Sequence, residues 1–183
     1  MNRPRVKICG LTRAADAALA VELGADAIGF VFWAKSPRAI DPATAAAFQA
    51  GLPPLVARVG VFVDATPADV AATVEAAGLD VVQLHGDEPV EAYRGVGARI
   101  VKVAALRNAA DVDAVAGWPP EVMPLVDAID PERRGGTGRR ADWTLAARLA
   151  ARRDILLAGG LTASTSAAFR SAATLTMRAP TPR

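Results

Sequence analysis

Short, nearly unbroken apolar runs recur along the chain: VKIC at 6–9, AIGFVF at 27–32, RVGVFV at 58–63, VVQLH at 81–85, RIVKVA at 99–104, PLVDA at 124–128 and ILLAGG at 155–160. Continuous runs of this length, rather than strict alternation, predict strands covered on both faces, as parallel strands are. Parallel strands need crossovers, and the intervals supply helical patterns. Residues 14–23 carry apolar positions at helical spacing and stop at Gly24. Residues 67–77 open on Thr66 as N-cap and Pro67 at the first helical position, and stop at Gly78. Polar caps or prolines mark further helix starts near 42–50, 89–94, 109–116, 143–152 and 163–173.

Seven βα units with no break in composition and no linker predict a single domain over residues 1–183. The repeat fits an α/β fold of the (βα)8 TIM barrel type better than an open doubly wound sheet. An eighth βα unit is not recognisable. After Asp154 there is no acidic residue, and LTASTSAAFRSAATLTMRAPTPR holds no β-branched run of strand length. It reads as one helix followed by a disordered tail over 174–183. On that reading the barrel is open, and the edges of its first and seventh strands are exposed.

Composition narrows the partners. The chain is 52% hydrophobic and 22% charged with a formal net charge of +2, which is near balance and gives no basic patch of the kind nucleic acid requires. One cysteine in 183 residues allows no intramolecular disulfide and suits a reducing compartment. The N-terminal MNRPRVKICG lacks the apolar core of a signal peptide, and no apolar run approaches the roughly 18 to 20 residues of a membrane span. A cytoplasmic protein, with no membrane and no nucleic-acid partner, is expected.

In a barrel of this kind chemistry sits at the C-terminal ends of the strands. Those ends hold Cys9, Phe32, Asp64, His85, Ala104, Asp127 and the Gly159–Gly160 pair, with Arg38 in the loop after the second strand. Cys9 alone reads either as a small buried hydrophobe or, with Lys7 two residues away, as a thiol able to act as a base. Asp127 ends an otherwise apolar strand, which suits a general acid; the other reading is a loop cap or a partner for Arg133 or Arg134. His85, the only histidine, reads equally as a structural or a functional group. GGTG at 135–138 and AGGL at 158–161 offer backbone N–H groups that can hold an anion, although glycine also serves purely conformational needs.

Taken in order, KICGLT, GADAIGFVF followed by KSPR, RVGVFV, VVQLHGDE, LVDA followed by GGTG and DW, and LLAGGL resemble the blocks of the phosphoribosylanthranilate isomerase family, from residue 6 to about 162. The resemblance implies an Amadori rearrangement in tryptophan biosynthesis, performed without metal or cofactor on a small phosphorylated substrate. It implies Cys9 as general base and Asp127 as general acid. It further implies substrate contacts from Lys7, Arg38, His85, Gly136 and Gly138, with Arg38 facing the anthranilate carboxylate. Gly159 and Gly160 match half of the phosphate cradle. The family's eighth strand, ending in Ser-Ser-Gly, and its eighth helix have no counterpart legible after AGGLTAS. Two readings follow: an active isomerase, monomeric or homodimeric, or a truncated member of the family with impaired or no activity. An isomerase or epimerase of another sugar phosphate is a third, against which the pairing of Cys9 with Asp127 counts.

Overall fold

The computed structural model describes residues 5–127 and 141–161 in full and the backbone of 173–178. The strands are β1 (Val6–Cys9), β2 (Ala27–Val31), β3 (Ala57–Phe62), β4 (Val81–Leu84), β5 (Arg99–Ala104), β6 (Val122–Val126), β7 (Ile155–Leu157) and β8 (Ala173–Arg178). Between them lie α1 (Ala14–Glu22), α2 (Pro42–Gln49), α3 (Pro67–Ala77), α4 (Ala109–Ala116) and α5 (Trp143–Ala150). All strand pairs are parallel and close in the order β1 to β8 into a barrel.

Helices α2 to α5 begin where the chemistry of their caps dictates. Asp41 accepts from the Thr44 N–H with Pro42 following, Thr66 accepts from the Asp69 N–H with Pro67 following, and Asn108 and Asp142 cap α4 and α5 in the same way. Gly78 ends α3 in the left-handed conformation at φ 58°. The helix expected over 89–94 is one turn of 3-10 helix, Val90–Tyr93. Pro89 stands before it, and Gly95 and Gly97 follow with φ of 97° and 82°, so the segment has no room to propagate. The helix expected over 163–173 begins in residues outside those described, and its last position opens β8.

Two expectations about the C-terminal segment need correction. An eighth strand exists: Leu156 pairs in register with Thr174 on one side of β8, and Cys9 pairs with Arg178 on the other. The edges of β1 and β7 are therefore covered, and residues 174–178 of the expected tail form a strand. The segment ATLTMR alternates threonine with apolar residues instead of running continuously apolar, so a search for buried runs passes over it. Residues 179–183 lie outside those described.

Side chains divide into two layers. Ile28, Phe30, Phe62, Val82, Leu84 and Ile100 point outward and pack with Ala17, Ala45, Val70 and Val74 of the helices. A second outer cluster joins Val126, Ile155 and Leu157 to Val112, Val115, Leu145 and Leu149. The alternate positions Val101, Val103, Leu125, Leu156 and Ala158 face the barrel interior and pack with Val81 and Met123. Ile8 packs with the outer cluster, which turns Lys7 and Cys9 inward.

At the N-terminal end of the barrel one device occurs twice. After α1, Gly24 (φ 91°) turns the chain to Asp26, whose carboxylate accepts from the Val6 N–H at 2.8 Å. After α3, Gly78 leads to Asp80, which accepts from the Arg58 N–H at 2.8 Å. The backbone carbonyl of each aspartate accepts in turn from the start of the next strand but one: Asp26 from Ala57 and Asp80 from Arg99. Each aspartate thus ties three successive strands at one level. Asp80 also takes the Arg58 guanidinium in a bidentate pair, both bonds at 2.8 Å.

Candidate active site

The last residue of β1 places the Cys9 thiol, partly exposed, at the C-terminal mouth of the barrel. Two glycines make room for it. Cys9 is paired in register with Gly29 of β2, where an added Cβ would lie 2.9 Å from Sγ. Gly10, at φ 80°, lies under the Arg38 side chain, where a Cβ would come within 2.2 Å of Nη1. Here glycine answers both the backbone conformation and the close approach. Arg38 Nη1 donates to the Cys9 carbonyl at 3.3 Å, and the Arg38 N–H donates to Ser36 Oγ at 3.2 Å. The guanidinium from the loop after β2 is thereby laid beside the thiol.

Lys7, one pleat below Cys9, is only 1% exposed. Its ammonium reaches Cys9 Sγ at 3.4 Å and donates to Gln83 Oε1 at 2.6 Å. A buried ammonium needs such partners, and a thiolate accepts from it more strongly than a thiol does. Gln83 on β4 is 3% exposed, and its Nε2 stands 2.9 Å from His85 Nδ1. His85 Nε2 in turn lies 3.7 Å from Asp127 Oδ2, with both side chains about nine-tenths covered. A line of polar groups therefore crosses the barrel mouth: Cys9, Lys7, Gln83, His85, Asp127. It joins a thiol to a carboxyl group, an arrangement suited to moving one proton on and another off the same substrate.

A second buried pair underlies the loop after β4. Lys102 donates to Glu88 Oε2 at 2.8 Å and to the Gly86 carbonyl at 2.7 Å. Glu88 accepts from the backbone N–H groups of Asp64 (2.7 Å) and Gly86 (2.9 Å). Asp64, at φ 52°, accepts from the Asp87 N–H at 2.8 Å, and the Tyr93 hydroxyl donates to the Ala65 carbonyl. The loop carrying His85 is thus fastened to the loop after β3 by a charged pair whose hydrogen bonds are shared with the backbone.

Of the residues expected from sequence, Cys9, Lys7, Arg38, His85 and Asp127 converge on the barrel mouth. Gly159 and Gly160 follow β7 after Ala158, with φ of 83° and 65°. Gly136 and Gly138 lie outside the described residues, as does the loop after β8 that the phosphate cradle would need. Sequence reasoning missed Gln83, Glu88 and Lys102. The signal was there, since each is a polar residue in or beside an apolar strand, and such a residue must find partners when buried. Among the described residues no group of three or more His, Cys, Asp or Glu side chains could hold a metal ion. None of the described helices is long and apolar enough to cross a membrane.

The profile of the family described as N-(5'phosphoribosyl)anthranilate (PRA) isomerase matches residues 6–175, running past the last legible motif into β8. The N-(5'-phosphoribosyl)anthranilate isomerase of Pelobacter propionicus is 44% identical over 164 residues, covering 90% of this chain and 78% of that protein. The enzyme of the same name from Geobacter sulfurreducens is 46% identical over 158 residues, covering 86% and 77%. Among solved structures, phosphoribosyl anthranilate isomerase from Thermotoga maritima superposes with a TM-score of 0.83 at 36% identity, covering 96% of this chain and 87% of that one. A phosphoribosyl anthranilate isomerase in complex with reduced 1-(o-carboxyphenylamino)-1-deoxyribulose 5-phosphate superposes at 0.79 with 34% identity, covering 96% and 87%. With the profile matched over nearly the whole barrel and relatives this close, the chain belongs to the N-(5'-phosphoribosyl)anthranilate isomerase family.

Proposed function

We propose that this chain converts N-(5-phosphoribosyl)anthranilate to 1-(2-carboxyphenylamino)-1-deoxyribulose 5-phosphate, the Amadori step of tryptophan biosynthesis, with Asp127 and Cys9 as its acid and base. Asp127, as the carboxylic acid, gives a proton to the furanose ring oxygen while the bond from that oxygen to C1 breaks. The anilino nitrogen supplies the electron pair, and the open chain is an iminium. The iminium acidifies the proton on C2, which the Cys9 thiolate removes to leave an enolamine. The enolamine loses its hydroxyl proton and gains one at C1, so the product is an isomer of the substrate and no redox partner is consumed.

Arg38 presents a planar guanidinium beside Cys9, a shape suited to the anthranilate carboxylate. Gly159 and Gly160 turn the chain after β7, where barrels of this type commonly bind phosphate. The substrate's two anionic ends would then lie on either side of the reacting carbons. Substrate binding by Gly136 and Gly138 belongs to the same reading.

The observation that carries the proposal is the line of polar groups from Cys9 to Asp127 across the barrel mouth. The reading of an impaired member drew its force from an open barrel and from a phosphate cradle only half legible; β8, paired with both β1 and β7, answers the first and favours the active reading. We assign the enzyme to the cytoplasm, as a monomer or homodimer. The test is an assay of the purified 183-residue chain that follows the loss of phosphoribosylanthranilate fluorescence. Enzyme-dependent decay to the ribulose phosphate product is expected, and decay no faster than the uncatalysed rate would reject the proposal.

A further inference from the structure

Gln83 stands between two groups that determine how its amide must point. Lys7 Nζ has protons and no lone pair, so the atom 2.6 Å away is the amide oxygen. The amide nitrogen therefore faces His85 Nδ1 at 2.9 Å. That nitrogen can only donate, so Nδ1 must accept, and an accepting ring nitrogen carries no proton. A neutral His85 then holds its proton on Nε2, the atom 3.7 Å from Asp127 Oδ2. An imidazolium would set one N–H against another across 2.9 Å.

The surrounding charges do not reverse this. On β1, the buried Lys7 ammonium opposes a second positive charge nearby. The Cys9 sulfur already accepts from Lys7. On the flanking strands and on the loop of His85 itself, Glu88 is engaged with Lys102, and Asp64 with the Asp87 N–H. Among the described residues Asp127 is the carboxyl that favours an imidazolium, at 3.7 Å.

We propose that Gln83 is a positioning residue: accepting from Lys7 and donating to His85 Nδ1, it holds His85 as the neutral Nε2–H tautomer and keeps an imidazolium away from Asp127. A cation beside Asp127 would stabilise its carboxylate and remove the proton that an acid must carry. A neutral Nε2–H instead leaves that proton in place, and it offers a hydrogen-bond donor to the carboxylate formed once the proton has moved. The proposal deepens the assignment of Asp127 as acid and rests on it for its consequence, whereas the state of the ring can be measured independently.

The chain has one histidine, so a ¹⁵N spectrum of the full protein labelled at histidine contains one ring and needs no assignment. At pH 7 the expected pattern is an unprotonated Nδ1 and a protonated Nε2. The ring should remain neutral at pH 6, below the ordinary histidine pKa of about 6.5. A proton on Nδ1, or a titration at or above the ordinary value, would overturn the proposal. In Gln83→Glu the new carboxylate accepts from Nδ1–H, so the ring should titrate at least about one unit higher than in the wild type, with turnover lower by about 10²-fold. An unchanged titration in a folded Gln83→Glu protein would equally overturn it. Should that variant not fold, the wild-type spectrum decides alone. Failure of the Asp127 assignment shows elsewhere, as full turnover in Asp127→Asn, and leaves the ring spectrum unaffected.

Discussion

The two ends of the barrel use the same residue type in opposite ways. At the N-terminal end the Asp80 carboxylate is saturated, with Arg58 supplying a backbone N–H and two guanidinium N–H groups, all at 2.8 Å. The guanidinium holds the Asp80 carboxyl below the usual carboxylate range against the opposing effect of its partial burial. Such a group is fixed in one charge state and fastens strands. At the C-terminal end Asp127 meets His85 Nε2 at 3.7 Å, longer than a hydrogen bond, within a mouth that also holds a thiol, an ammonium and a guanidinium. There, in the proposed mechanism, the carboxyl exchanges a proton. Pairing with one fixed arginine marks the end that stabilises; placement among several titratable groups marks the end proposed to react.

The largest effect expected of this contrast is at Asp127. Asp127→Asn keeps the shape and removes the transferable proton, so turnover should fall by about 10² to 10⁴ with the melting temperature little changed. Steady-state rates alongside a thermal melt check both halves, and near-normal turnover would erase the distinction between the two ends.

Gly29→Ala sharpens the same contrast without touching a reactive group. Its Cβ would sit 2.9 Å from Sγ, so the thiol must move, and a displacement approaching 1 Å should lower kcat by about 10²-fold. Alkylation of Cys9 by a small thiol reagent would report the altered thiol independently of turnover.

Arg38→Ala should divide the kinetic constants differently. The guanidinium is assigned to the substrate carboxylate and not to the reacting carbons, so KM should rise about tenfold or more while kcat changes less. A collapse of kcat at constant KM would assign the arginine to the chemistry instead.

The smallest effect on catalysis, and a clear one on stability, belongs to Asp80→Asn. Activity should be retained, and the loss of stability at pH 7 should be about 1 to 2 kcal/mol, reduced from that of a fully buried charged pair because both side chains are about one-third exposed. Because the folded-state pKa of Asp80 is depressed, its contribution is present above the unfolded value of about 3.9 and is lost as pH falls through the folded value. The stability difference between wild type and Asp80→Asn should therefore narrow below about pH 4, as urea titrations over pH 3 to 7 would register.

Much of this organisation was legible from residue order alone, for physical reasons that also mark where legibility stopped. Strands buried on both faces must be continuously apolar, which made β1 to β7 readable to within a few residues, and α3 announced itself through Thr66, Pro67 and Gly78. β8 was missed because its alternating threonines do not form an apolar run. Cys9, His85 and Asp127 stood out as candidates because a reactive side chain at a strand end is conspicuous. Gln83 and Lys102 were not, because one buried polar residue inside an apolar strand looks like an interruption until the partner on another strand is seen: Lys7 in one case, Glu88 in the other. Pairings across the barrel are set by closure and register, which no local pattern encodes.

The central claim is that the thiol at the end of β1 acts as a base, and not as a small apolar side chain filling the barrel mouth. Turnover of Cys9→Ala, measured by phosphoribosylanthranilate fluorescence beside Asp80→Asn in the same assay, tests it most directly. The account predicts a loss of at least about 10²-fold for Cys9→Ala with its melting temperature preserved, and wild-type turnover with a lowered melting temperature for Asp80→Asn. Cys9→Ala turning over at a near wild-type rate would contradict it.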